Sequence, residues 1–147
     1  MEKVSQSEQY ISLMVFLIRA DGIVDDDERN GLLNLLADRL ETPLTPAQVG
    51  ELQERLDAPG PTTASDEQLL EAGRGIDPLT LCHLVRDAYS LAASDGEIHR
   101  SEVSTIRRYL RLAGIPLERF ADVDMWARFS RDNLDLGQKL LTPSTPG

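Results

Sequence analysis

Apolar residues along the chain return every three to four positions almost everywhere, and no stretch alternates strictly with polar ones. That spacing predicts helices with one buried stripe each. A first helix is expected from about Ser7 to Ala20, carrying Ile11, Met14, Val15, Leu17 and Ile18. A second is expected from about Asp26 to Leu40, with Leu32, Leu33, Leu35, Leu36 and Leu40 toward the core. Thr45-Pro46-Ala47-Gln48 sets a hydroxyl cap, a proline at the first helical position and a glutamine at the third. That combination starts a third helix ending near Leu56, although Gly50 inside it costs about 1 kcal/mol against alanine. Residues 57–65 are rich in Pro, Gly and Thr and read as an exposed, mobile linker. A short helix from Asp66 to Ala72 follows, broken by Gly73 and Gly75. Asp77-Pro78 opens a helix to about Ser94 through Leu81, Leu84, Val85, Ala88, Leu91 and Ala92. Another covers Arg100 to Ala113, with Val103, Ile106 and Leu110 inward, and stops at Gly114. Pro116 begins a last helical region, continuous or interrupted, holding Phe120, Trp126 and Phe129. The expected fold is all-α, a compact bundle of about seven helices forming one domain over residues 1–140. Residues 141–147 are expected to be a disordered tail.

The helix pattern contains a self-match. Leu17-Ile-Arg-Ala-Asp21-Gly22-Ile-Val24-Asp-Asp-Asp-Glu28 lies over Leu91-Ala-Ala-Ser-Asp95-Gly96-Glu-Ile98-His-Arg-Ser-Glu102. Both copies read Asp-Gly-x-(Val/Ile)-x-x-x-Glu between an apolar helix and the next helix. Further along, Leu36 falls over Leu110. The repeat copies span about residues 8–40 and 78–113 and predict an internal pseudo-two-fold. Gly22 and Gly96 suit the left-handed position past a helix end. Asp25 caps the following helix and Glu28 completes a capping box, whereas His99 is a poorer cap in the second copy.

Asp21 and Asp95 are the exception to good local chemistry. Each falls on a last helical residue, where a carboxylate meets free carbonyls and the negative end of the dipole, unfavourably by about 0.3–1 kcal/mol. A repeated local conflict points to function. A carboxylate beside free carbonyls is an oxygen-rich setting for a hard cation, and Asp25, Asp26, Asp27 and Glu28 deepen the negative field. The candidate metal ligands are Asp21, Asp25, Glu28, Asp95, His99 and Glu102. The motif equals the second half of an EF-hand loop, but the early ligand positions hold Leu17 and Arg19, or Leu91 and Ala93. The alternative is that the turns are helix corners that happen to be acidic.

Composition narrows the function classes. The chain has 147 residues, 41% apolar and 27% charged, with a net charge of −10. That charge repels nucleic acid and anionic membranes and attracts cations and basic protein surfaces. Arg107, Arg108 and Arg111 form a local basic cluster, read as a solvated face paired with nearby acids. The longest apolar run, Ile11–Ile18, is too short to span a bilayer and no signal-peptide core is present, so a cytoplasmic location is expected. Cys82, the single cysteine, lies in an apolar stretch and reads as a small buried hydrophobe. No nucleophile–base pair or Gly-rich phosphate loop is visible, so no catalytic residue is assigned.

With Arg19-Ala-Asp-Gly-Ile-Val-Asp-Asp-Asp-Glu28 and Ala93-Ser-Asp-Gly-Glu-Ile-His-Arg-Ser-Glu102 in hand, the chain resembles the tellurite-resistance TerB family over roughly residues 8–130. The resemblance implies an all-helical pseudo-symmetric fold, an acidic surface that binds divalent metal, and a bacterial stress role in the cytoplasm or at the membrane. It also implies use as an interaction module, since a similar domain occurs in a DnaJ-like co-chaperone. Asp21, Glu28, Asp95 and Glu102 match the family's acidic positions and Asp25 its first-copy cap. His99 departs from them, which leaves the metal open among calcium, magnesium and zinc.

Overall fold

The computed structural model describes residues 6–19, 26–58, 65–92, 100–130 and 132–142, with the backbone alone at 92 and 100–102. Its helices are α1 (Ser7–Ile18), α2 (Asp26–Arg39), α3 (Pro46–Asp57), α4 (Asp66–Ala72), α5 (Pro78–Ala92) and α6 (Arg100–Leu112). A 3-10 turn (Leu117–Arg119) then leads into α7 (Phe120–Phe129), and α8 (Leu134–Leu140) follows. No strand occurs among the described residues. The all-α expectation holds, with eight α-helices there instead of about seven.

The extra helix comes from a break in the last helical region. α7 stops at Phe129, and Asn133 restarts the chain by accepting the Leu136 N–H at 3.1 Å. The indole N–H of Trp126 donates to the Asn133 carbonyl at 2.9 Å, fixing the corner to the core. The packed chain also runs further than the tail expectation allowed. Leu141 is fully buried, and the Thr142 hydroxyl donates to the Gln138 carbonyl at 2.6 Å. A leucine closing α8 against the core outweighs the Pro/Ser/Thr composition that follows it. Residues 143–147 and 59–64, the bulk of the expected tail and linker, lie outside the described residues.

Local signals place the helix ends. Thr45 and Gln48 form the expected capping box, with bonds of 3.2 and 2.9 Å. Ser65 and Gln68 form a second one at α4, which the sequence reading did not single out. Asp77 caps α5 through the Thr80 N–H at 2.7 Å. Gly114 takes φ 94° after α6, where a side chain would be strained. Ile115 N–H then reaches the Leu110 carbonyl and Gly114 N–H that of Arg111, a paired closure with Ile115 and Leu110 both buried.

The core forms around α5. Residues 80–89 are buried on every side, as expected of a helix packed against α1, α2, α6, α7 and α8. α1 contributes Tyr10, Leu13, Met14, Leu17 and Ile18, and α2 contributes Leu32 and Leu36. Leu33, Leu35 and Val103 pack at its margin instead of inside it. Leu17, Leu91, Leu36 and Leu110, the positions paired by the sequence self-match, are all buried. None of the described helices is long and apolar enough to cross a membrane.

Gly50 has no contact that requires glycine: a Cβ there would meet nothing within 4 Å. Gly50→Ala is expected to stabilise the fold by about 0.5–1 kcal/mol, read as a higher midpoint in urea at unchanged slope.

Candidate functional site

The described part of the first acidic turn is the start of α2. Asp26 and Asp27 are exposed in its first turn, and Glu28 beside them is only 3% exposed. All three sit at the positive end of the helix dipole, which favours carboxylates. Burial of Glu28 removes a charge from water, a cost that its place at the positive end of the dipole helps to offset. Asp21 and Asp25 lie outside the described residues.

Two arginines flank this turn, and both are engaged by the end of α3. Arg19 donates to the Ala58 carbonyl at 2.8 Å. Arg29 forks onto Asp57 at 2.6 and 3.0 Å, and this hydrogen bonding holds the Asp57 carboxyl below its ordinary range. An exposed pair of this kind contributes little stability, but it fixes where α3 ends relative to α1 and α2.

In the second copy, Asp95 and His99 lie outside the described residues, and Glu102 is placed by its backbone in the first turn of α6. The helices bearing the two motifs do meet. A Cβ on Gly31 would come within 2.6 Å of Leu91 Cδ2, so α2 passes close to the end of α5 there and an added side chain would have to displace the end of the leucine. Gly31 is three residues past Glu28, and Leu91 is four before Asp95. Among the described residues, no three His, Cys, Asp or Glu side chains are grouped to hold a metal ion. A donor set on these helices would have to draw on turn residues outside the described ones.

Sequence reasoning missed the most strongly built polar cluster. Asp87, 2% exposed on α5, accepts the Tyr10 hydroxyl at 2.6 Å from α1. From α2, Arg39 forks onto the same carboxylate at 2.9 and 3.1 Å. Arg86 Nε lies 3.6 Å from Asp87, and Arg86 Nη2 donates to His83 Nδ1 at 3.0 Å. A guanidinium can only donate, so this His83 nitrogen carries no proton. Burial, and then the charge of Asp87, push the Tyr10 hydroxyl far above its ordinary value. The one local signal was Arg86-Asp87 interrupting the apolar run of α5. Tyr10 and Arg39 are 77 and 48 residues away, beyond any local pattern.

Other sequence readings agree with the geometry. Cys82 is fully buried, and burial pushes its thiol up to about 12, far from a reactive thiolate. Arg108 pairs with Asp66 at 2.9 Å and Arg107 with Asp124 at 4.0 Å, so two of the three arginines in that cluster are acid-paired, and Arg111 is exposed. A chiefly apolar cleft of about 640 Å³ opens between α4, the start of α5 and the end of α6. It lies at the other end of α5 and α6 from the second acidic turn.

The family model described as "Tellurite resistance protein TerB" matches residues 7–125. The chain belongs to the TerB family. No curated protein and no solved structure matches it. The TerB match takes in both Asp-Gly motifs and α1 to α6, and ends within α7, before Phe129 and α8. The buried Asp87 cluster lies wholly inside the TerB region.

Two outcomes test that cluster. Arg39→Met removes the forked donor from a buried carboxylate and is expected to destabilise the fold by about 3–5 kcal/mol in chemical denaturation. Tyr10, Tyr89 and Tyr109 all have raised hydroxyl pKa values, Tyr109 up to about 12, with burial the largest cause in each. Their contribution is complete below the unfolded tyrosine value of about 10 and is lost as pH rises above it. Stability should therefore fall steeply above about pH 10, and Tyr10→Phe should be less stable at neutral pH but lose less on further alkalinisation.

Proposed function

We propose that this TerB domain is a non-enzymatic module that binds a divalent cation at its two acidic turns, in a bacterial stress role within the cytoplasm. The observation that carries this reading is the buried Glu28 carboxylate at the start of α2, beside exposed Asp26 and Asp27 in a chain of net charge −10. The donors fit a hard cation: Asp21, Asp25 and Glu28 in the first turn, Asp95 and Glu102 in the second, with His99 adding a softer nitrogen. A bound cation would supply charge neutralisation. The close passage of α2 along the end of α5 at Gly31 and Leu91 supports action of the two motifs on one another. The TerB match and the absence of a membrane-crossing helix among the described residues are consistent with this setting.

A second reading is a protein-interaction scaffold without metal, with the acidic turns meeting a basic partner. It is favoured by the large apolar side chains left exposed on α7.

Single-atom exchanges separate a ligand from a cap. Glu28→Gln and Glu102→Gln keep a capping box workable, and Asp21→Asn and Asp95→Asn remove a charge from a helix end. The expected outcome is unchanged or higher stability without metal. Calcium, magnesium, manganese or zinc at a hundred times Kd should stabilise the wild type by about 2.7 kcal/mol, roughly 5–10 °C in Tm. That shift should shrink sharply in the four variants. A wild type whose melting ignores all four metals at millimolar concentration would exclude the cation reading and leave the scaffold.

A further inference from the structure

Two arginines stand beside the acidic start of α2, and a divalent cation bound there would be repelled by both. Arg29 follows Glu28 directly and lies three residues after Asp26, so Asp26 is the nearest acid on its own helix surface. The Arg29 guanidinium is nevertheless turned away from its own helix. It forks onto Asp57 at the end of α3, at 2.6 and 3.0 Å, 28 residues along the chain. The Asp57 hydrogen bonds are the main influence holding Arg29 in its charged form. The charge of Asp26 contributes last, so that carboxylate is still within electrostatic reach.

The place of Asp57 is itself fixed. Leu52 and Leu56 bury the inner side of α3, and Arg19, just past the end of α1, donates to the Ala58 carbonyl at 2.8 Å. A guanidinium on the last carbonyls of a helix also suits the dipole. That bond leaves the charge of Arg19 intact and only directs it at α3. The forked pair does more, because Asp57 both balances the charge of Arg29 and fixes its direction. Among the described residues of this corner, the carboxylates of Asp26, Asp27, Glu28 and Asp57 stand against the guanidiniums of Arg19 and Arg29. Glu54 and Arg55, one turn earlier on α3, carry opposite charges and leave that balance unchanged. Without Asp57 the excess of negative charge is smaller, and the guanidinium it releases has Asp26 as its nearest acid.

We propose that Asp57 is a positioning residue for the cation site: by holding Arg29 at the end of α3, it leaves the carboxylates at the start of α2 open to a divalent cation. The inference rests on the cation reading given above and adds to it a residue from outside both Asp-Gly motifs. Asp57 acts through Arg29 and contributes no oxygen to the ion.

The test is calorimetric titration of the chelator-treated full chain with calcium, magnesium, manganese or zinc, each alone. Asp57→Asn should raise Kd about tenfold for the ion that the wild type binds, the effect of a unit charge brought to about 6 Å from a divalent ion in water. Adding Arg29→Gln to Asp57→Asn removes the released guanidinium and should return Kd to within about twofold of the wild type. Asp57→Glu can still reach Arg29 and should behave like the wild type. Glu54→Gln takes an equal charge from the same helix without freeing Arg29, and should shift Kd by less than about twofold. Exposed ion pairs contribute little to stability, so all four variants should melt near the wild type without metal. A wild type that binds none of the four ions overturns the inference together with the cation reading. If the wild type binds and Asp57→Asn binds no worse than Glu54→Gln, the inference alone is overturned. A double variant as weak as Asp57→Asn also overturns it, since Asp57 would then act as a ligand or a support and not through Arg29.

Discussion

A carboxylate taken out of water must find donors, and Asp87 finds them on three different helices. Tyr10 comes from α1, Arg39 from α2 and Arg86 from α5 itself. Apolar contacts alone would let these helices slide or rotate by a residue at small cost, because one leucine contact resembles another. The forked Arg39 bond has one satisfactory geometry, and a slip would strand a buried charge. The cluster thus works as a register pin at the centre of the apolar bundle. It adds specificity even where its net contribution to stability is modest, since desolvation offsets much of the attraction.

This pin also positions the candidate cation site. Arg39 ends α2 and Glu28 lies near its start, so fixing the far end of α2 against α5 aims the near end. A second contact is the close passage of α2 at Gly31 against Leu91 in the last turn of α5. The end of α3 supplies a third through Asp57 and Ala58, which occupy Arg29 and Arg19. The acidic start of α2 is therefore held from three directions, while the two arginines nearest to it are bound elsewhere.

α7 shows the complementary case, where no internal constraint asks for an apolar side chain. The buried stripe of Val123, Trp126 and Ala127 already satisfies the core. Met125 and Phe129 lie outside that stripe and keep most of their apolar area in water.

The sequence by itself determined the helices and most of their ends. These depend on interactions within one or two turns: Thr45 with Gln48, Asp77 with Thr80, Gly114 past α6. Periodicity likewise identified buried residues of α5 and α6, and the two Asp-Gly motifs carried the family resemblance, because both are written in short spacings. Candidate ligands were legible as local conflicts, Asp21 and Asp95 above all, although the described geometry reaches only the α2 and α6 sides of the two turns. Only the tertiary structure decided the rest. Asp87 meets residues 77 and 48 positions away, and their pairing depends on how helices cross, which no local spacing encodes. Leu141, expected in the tail, is buried for the same reason. Hydrophobicity says that a side chain gains by burial, but only the packing of neighbouring helices says whether a place in the core is left for it.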